Sequence, residues 1–242
     1  MPDGATPDSA ETDQLPTSQT VRLGVLLALV GGGLDAYTFV SRGGVFANAQ
    51  TGNVVLMSVA AAQAHWRQAL NHVPAIIAFV AGVITAESLK RPKVATLVRK
   101  PARAAIVLEI VVLLLVGFVP HNTLNSLVII LVAFTASVQV STFRTLVDTP
   151  YATTMTTGNL RTAAQSAHRA LADHDAEAAR RTRQFGTIIL AFILGALGGA
   201  RLTATEGTHA VWVGAALLLL CLVLFVHDER VAARTTPEQA QP

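Results

Sequence analysis

NAQTGN, residues 48–53, lies between two apolar stretches, yet it carries Asn48, Gln50, Thr51 and Asn53. Its ending returns in the second half of the chain as TMTTGN, residues 154–159. How these two polar stretches are read decides the fold. If both cross a bilayer, the chain has eight spans; if both stop short, it has the six of its apolar runs, at 21–40, 73–89, 104–119, 124–143, 184–200 and 210–226.

The composition around them is that of a membrane protein. Of 242 residues, 52% are hydrophobic and 14% charged, where soluble domains carry about 25% charge. The apolar runs approach or reach the length that a hydrocarbon core of about 30 Å requires. The lone Cys221 sits within LLLLCLVLF and reads as a small packed hydrophobe with no internal disulfide partner. Residues 1–20 are acidic and aperiodic and read as a disordered tail, as do residues 228–242. That acidic start argues against a cleaved signal peptide, whose n-region is basic.

The positive charges orient the chain. Lys90, Arg91, Lys93, Arg99, Lys100 and Arg103 crowd a connection that contains no acid, which belongs on the cytoplasmic side. Six spans then place both termini inside, together with the Arg180-Arg181-x-Arg183 cluster of the 144–183 connection. Eight spans would put that cluster outside, and GNLRTAAQSAHRALADHD is too polar to face lipid. The expected fold is therefore an all-α bundle of six membrane spans with both termini on the cytoplasmic side.

The order of features repeats. DAYTF (35–39) precedes the first Thr-Gly-Asn, and QVSTF (139–143) precedes the second. Each is followed by a helix-compatible stretch and then by AFVAG (78–82) or AFILG (191–195). Small residues recur at helical spacing there, Ala78, Gly82 and Ala86 in one half and Ala191, Gly195 and Gly199 in the other, suited to close helix approach between halves or between subunits. Two repeats, 21–119 and 120–227, each with three spans, must insert upside down relative to one another, a plan shared by many secondary transporters.

The stretch GGLDAYTFVSRGGVFANAQTGNVVLMSVA, residues 32–60, resembles the signature of the YoaK-like bacterial membrane proteins, the domain of unknown function 1275. The matching positions are Gly32, Asp35 and Ala36, then Gly44, Phe46, Ala47, Asn48, Thr51, Gly52 and Asn53. In the second half Gln139 and Thr157-Gly158-Asn159 are similar to the family, and the resemblance covers about residues 20–226. It implies a six-span inner-membrane protein of unestablished function and supplies no site residues.

Thr or Asn beside Gly before a helix suits N-capping, so each Thr-Gly-Asn is expected to open a short re-entrant helix, at 54–64 and 160–171. Free amides at membrane depth must be buried in protein or face a cavity. The two positive helix ends offer a site for an anion, and in an inverted repeat they are expected to meet. Asp35 is the outstanding candidate for binding a proton or cation, because a carboxylate inside a span is rare. Its plainer reading is a headgroup-level residue paired with Arg42. Gln139 is its uncharged counterpart. Glu109 is a second ion-coupling candidate, with a plainer reading in which it reaches back to Arg103 or Lys100. Gly31–Gly33 are expected to let the first span break near Asp35.

No metal-ligand spacing, phosphate loop or hydrolase motif stands out, so no cofactor, nucleic acid or enzyme activity is expected. The function favoured is transport or channelling of a small polar or ionic solute. Its binding residues would be Asp35, Asn48, Thr51, Gly52, Asn53, Gln139, Thr157, Gly158 and Asn159, with Asp35 and Glu109 coupling an ion. The alternative is a structural or regulatory membrane protein in which those residues only cap helices. The partners expected are the lipid bilayer, the solute and a second copy of the chain.

Overall fold

The structure, a computed structural model, describes residues 21–91, 98, 100–121, 124–143, 145–146, 149–150 and 156–235. The tail at 1–20, residues 236–242 and most of the 92–99 and 144–155 connections lie outside the described residues. Nine α-helices are described: α1 Val21–Ser41, α2 Gln50–Ala62, α3 Trp66–Leu70, α4 Val73–Leu89, α5 Pro101–Val116, α6 Asn125–Thr142, α7 Thr156–Ala172, α8 Ala176–Glu206 and α9 Val211–Thr235. A two-residue antiparallel pair, Thr145–Leu146 with Thr149–Pro150, is the strand structure among the described residues. The last helix runs on through Thr235, so Asp228–Thr235 is helical where an unstructured tail was expected.

Four helical stretches are long and apolar enough to cross a membrane: Val21–Ser41, Trp66–Leu89, Asn125–Thr142 and Ala176–Val231. A tight 3-10 turn at Gly207–Ala210 divides the fourth into α8 and α9. The protein is a membrane protein. Its exposed helix surface is aliphatic, with Ile77, Ile84, Leu115, Leu197 and Val223 turned outward.

The inner core lies where α1, α5, α6 and α9 meet, around Leu27, Leu34, Ile106, Leu113, Val132 and Leu218. Two close crossings flank it. On one side α1 packs along α8, with Gly33 over Gly195 and Gly199 over Gly33. A methyl group on Gly199 would come within 2.6 Å of the Gly33 carbonyl oxygen. On the other side α4 packs along α6, with Gly82 under Ser137 and the Phe134 carbonyl and with Ala78 and Ala86 buried. Both ladders of small residues thus serve helix approach within one chain. Backbones that come this close gain dispersion contacts that lipid tails would otherwise supply.

Gly31–Gly33 do not break α1, which stays helical to Ser41. The physical reason is the same crossing. The backbone of α8 around Phe192 and Ala196 lies against Gly32, so the missing side chain serves proximity. An intact helix also leaves no amide unpaired in an apolar surrounding.

The two ends of the bundle are tied differently. At one, Glu229 of α9 accepts from Lys100 at 2.7 Å and from Arg103 of α5. At the other, Trp212 donates its indole N–H to the Leu114 carbonyl at 3.2 Å, while Phe118 meets the Trp212 ring edge to face.

Candidate functional site: a polar loop returning to the middle of a helix

After α1 the chain turns on Gly43 and Gly44, whose φ angles of +89° and +76° belong to the left-handed region that glycine tolerates. Phe46 then stacks on Phe39 with ring centroids 4.7 Å apart. Gly52 lies beneath the Phe46 ring, where a Cβ would come within 3.0 Å. The chain is now travelling back along α1. Asn48 donates its backbone N–H to Asp35 Oδ1 at 2.7 Å and its side-chain Nδ2 to the Gly31 carbonyl at 3.3 Å. Gly31 lies ten residues from Ser41, and at 1.5 Å per residue Asn48 therefore sits about 15 Å down the helix from its end. That depth is half of a hydrocarbon core of about 30 Å.

From there α2 starts at Gln50, four residues earlier than expected. Thr51, Gly52 and Asn53 accordingly lie in its first turn, and the N-cap is Ala49, which offers no side-chain bond. Asn53 does a different job. Its Oδ1 accepts from the Phe46 N–H at 2.9 Å, and its Nδ2 donates to the Phe46 carbonyl at 2.8 Å and to Gln50 Oε1 at 3.0 Å. Gln50 Nε2 in turn donates to the Ala47 carbonyl at 2.8 Å, and His72 Nδ1 lies 3.3 Å from Asn53 Oδ1. The irregular loop is thus satisfied by side-chain amides, which is how non-helical backbone survives at membrane depth. Thr51 is exposed.

Asp35 is 5% exposed and Asn48 6%. Their remaining oxygens, Asp35 Oδ2 and Asn48 Oδ1, are buried without a hydrogen-bond partner. At the entry to α2, then, stands the chain's own Asp35 carboxyl group, with the Ala47 and Ala49 amides also beside it. Arg42 does not pair with Asp35. It is 1% exposed and donates to the Val119 carbonyl at 2.7 Å, the Pro120 carbonyl at 2.9 Å, Asn125 Oδ1 at 3.4 Å and the Tyr37 hydroxyl at 2.8 and 3.3 Å. Every donor of the guanidinium is used, and the end of α1 is tied to the α5–α6 connection. Sequence reasoning missed this role; a single Arg at the end of an apolar span was the available signal.

A second buried polar pair stands apart. Glu109 of α5, 1% exposed, accepts from Gln139 Nε2 of α6 at 2.5 Å. It does not reach Arg103 or Lys100, both of which turn to Glu229. Glu109 is buried with its carboxylate on Gln139, while the two bases are engaged by Glu229. No hydrogen bond among the described residues joins this pair to Asp35.

In the second half α7 begins at Thr156, again four residues early, so Thr157-Gly158-Asn159 also falls in a first turn. Asn159 is buried, while Thr157 and Gly158 are exposed. This helix lies along α8, with Ala163 against the cluster of Phe185 and Ile188. By contrast α2 packs on α3 and α4, and no packing of weight joins α2 to α7. The structure therefore gathers Asp35, Asn48 and Asn53 in one place, Glu109 and Gln139 in another, and Asn159 in a third.

No curated protein and no solved structure matches the chain. The model of the family described as "Protein of unknown function (DUF1275)" matches residues 23–224, and the chain belongs to that family.

Proposed function

We propose that the protein is a transporter or channel for a small polar or ionic solute, with six spans in two inverted halves, in a bacterial inner membrane with both termini cytoplasmic. The observation that carries the reading is the loop 42–49, which returns to the middle of α1 and meets a buried carboxylate there. Interrupted segments near the midplane are where transporters with inverted repeats hold their substrates and ions.

The pattern of packing supports two related halves. If α1 and α4 of the first half correspond to α6 and α8 of the second, the α1–α8 crossing maps onto the α6–α4 crossing. Gly33 and Ser137 then stand two residues before Asp35 and Gln139 and meet Gly195 and Gly82, the closing glycines of AFILG and AFVAG. The α5–α9 contact maps onto itself, and α1–α9 onto α6–α5. Each long crossing joins one half to the other, so a rocking of the halves would change the surroundings of both polar stations. Asp35 serves as the ion-coupling group in this mechanism, and Glu109 with Gln139 as a second polar station.

Solute flux in proteoliposomes tests the proposal. Wild-type protein is expected to pass at least one member of a panel of small anions, cations and amino acids faster than empty liposomes, and Asp35→Asn to slow that flux tenfold or more. No flux across the panel would leave the structural alternative in possession.

A further inference from the structure

We propose that Asp35 and Asn48 form a proton site, in which one proton on Asp35 Oδ2 is donated to Asn48 Oδ1. The two oxygens are buried acceptors without donors, on residues already joined by the 2.7 Å bond from Asn48 N–H to Asp35 Oδ1. The Asn48 side chain lies beside the same carboxylate. A single proton supplies the one donor that is missing, satisfies both oxygens and removes a charge from an apolar interior, where an unpaired carboxylate is costly. The amide cannot supply that donor by turning over, because Nδ2 is committed to the Gly31 carbonyl and Oδ1 would then face it.

A metal ion fits less well. Hard cations take about six oxygens, and this place offers two free ones. The Gly31 carbonyl is occupied, and the neighbouring carbonyls of α1 belong to its helical ladder.

No charged side chain competes for the carboxylate. Of the titratable neighbours on α1, Tyr37 and Arg42 bond to each other, and Arg42 goes on to the α5–α6 connection. Neither α2 nor α6 contains a charged residue. On α8 the charges lie toward the ends, and Arg201 and Glu206 near this level are exposed. His209 lies in the turn after α8, and the charged residues of α9 begin at His227, in its last third. His72 is engaged with Asn53, its Nδ1 3.3 Å from Asn53 Oδ1. Loss of the proton would leave a buried carboxylate whose Oδ2 has no donor and must draw water, loosening the 42–49 loop from α1. This deepens the transport reading, since it names the coupling ion, but the site can be tested without flux.

The test is infrared difference spectroscopy of the full chain in nanodiscs, titrated from acid to alkaline pH, with Na⁺ and Li⁺ as the competing probes. Wild type should show a protonated-carboxyl band that disappears at alkaline pH, is absent from Asp35→Asn and is retained in Glu109→Gln. In Asn48→Ala the band should move to higher frequency as the O–H loses its acceptor, which decides the matter even if Asp35→Asn does not fold. A band that ignores both substitutions overturns the proposal. So does its displacement by Na⁺ or Li⁺ at constant pH, which would assign a metal ion. A normal band without solute flux would sink the transport reading and leave the proton site, and flux without the band would do the reverse.

Discussion

Asn53 pairs both its amide groups with the backbone of Phe46, seven residues earlier, much as a neighbouring strand would. It is fully buried, so removing the amide leaves the Phe46 N–H and carbonyl without partners. An orphaned buried polar group costs about 1–3 kcal/mol. Asn53→Ala is therefore expected to lower the unfolding midpoint clearly, while Thr51→Ala, at an exposed position, should lie close to wild type. Thermal unfolding of both variants in detergent checks this; equal loss in the two would return the Thr-Gly-Asn to a general capping role. Glu109 offers the parallel case. Glu109→Gln keeps an acceptor for Gln139, whereas Glu109→Ala strands it at a cost of about 1–3 kcal/mol. The alanine variant should be the less stable of the two in the same measurement.

Between elements, the glycines divide by what stands opposite them. Gly82 faces Ser137 and the Phe134 carbonyl, and Gly195 faces the Leu29 backbone, so neither can accept a side chain without parting two helices. Gly198, one turn from Gly195 on α8, has nothing within 4 Å of where a Cβ would stand. Overpacking costs about 1–3 kcal/mol, and alanine is favoured over glycine in a helix by about 1 kcal/mol. Gly82→Val and Gly195→Val should thus fold poorly, and Gly198→Ala should equal or exceed wild type in thermal stability. A well-folded Gly195→Val would mean that α1 and α8 do not approach as closely as described. The helix starts follow from the same reasoning. Asn53 satisfies the loop from within α2, so the helix can begin at Gln50 and no polar cap is needed at Ala49.

For the whole molecule the testable matter is which end faces which compartment. Contacts place Lys100, Arg103 and Glu229 at one end, and Arg42, Trp212 and the Gly207–Ala210 turn at the other. With Cys221 replaced by Ser, Arg91→Cys and Thr205→Cys should be labelled by an impermeant thiol reagent from opposite sides of the membrane, Arg91→Cys from the cytoplasm. Labelling of both from one side would end the six-span reading. The ion pairs at the Glu229 end are partly exposed and are worth little, about 0–1 kcal/mol. Glu229→Gln is expected to leave stability almost unchanged, and the small difference should shrink further as salt is raised.

By itself the sequence determined the helical class, the position of each apolar helix, though not the polar extensions of the last two, and the small-residue ladders, because each depends on local composition and on a 3.6-residue period. It also marked Asp35, Asn48 and Asn53 as unusual, since amides and carboxylates inside apolar surroundings are visible without coordinates. Only the tertiary structure decided what these groups touch: that Asn53 pairs with Phe46, that Asn48 reaches Gly31, that Glu109 meets Gln139, and that Arg42 turns away from Asp35. It decided equally that Gly31–Gly33 admit the backbone of α8 where the glycines alone suggested a break. Those outcomes depend on which helices become neighbours and on their rotation about their own axes. Hydrogen bonds between residues distant in the chain form only after that choice, so no local pattern encodes their partners.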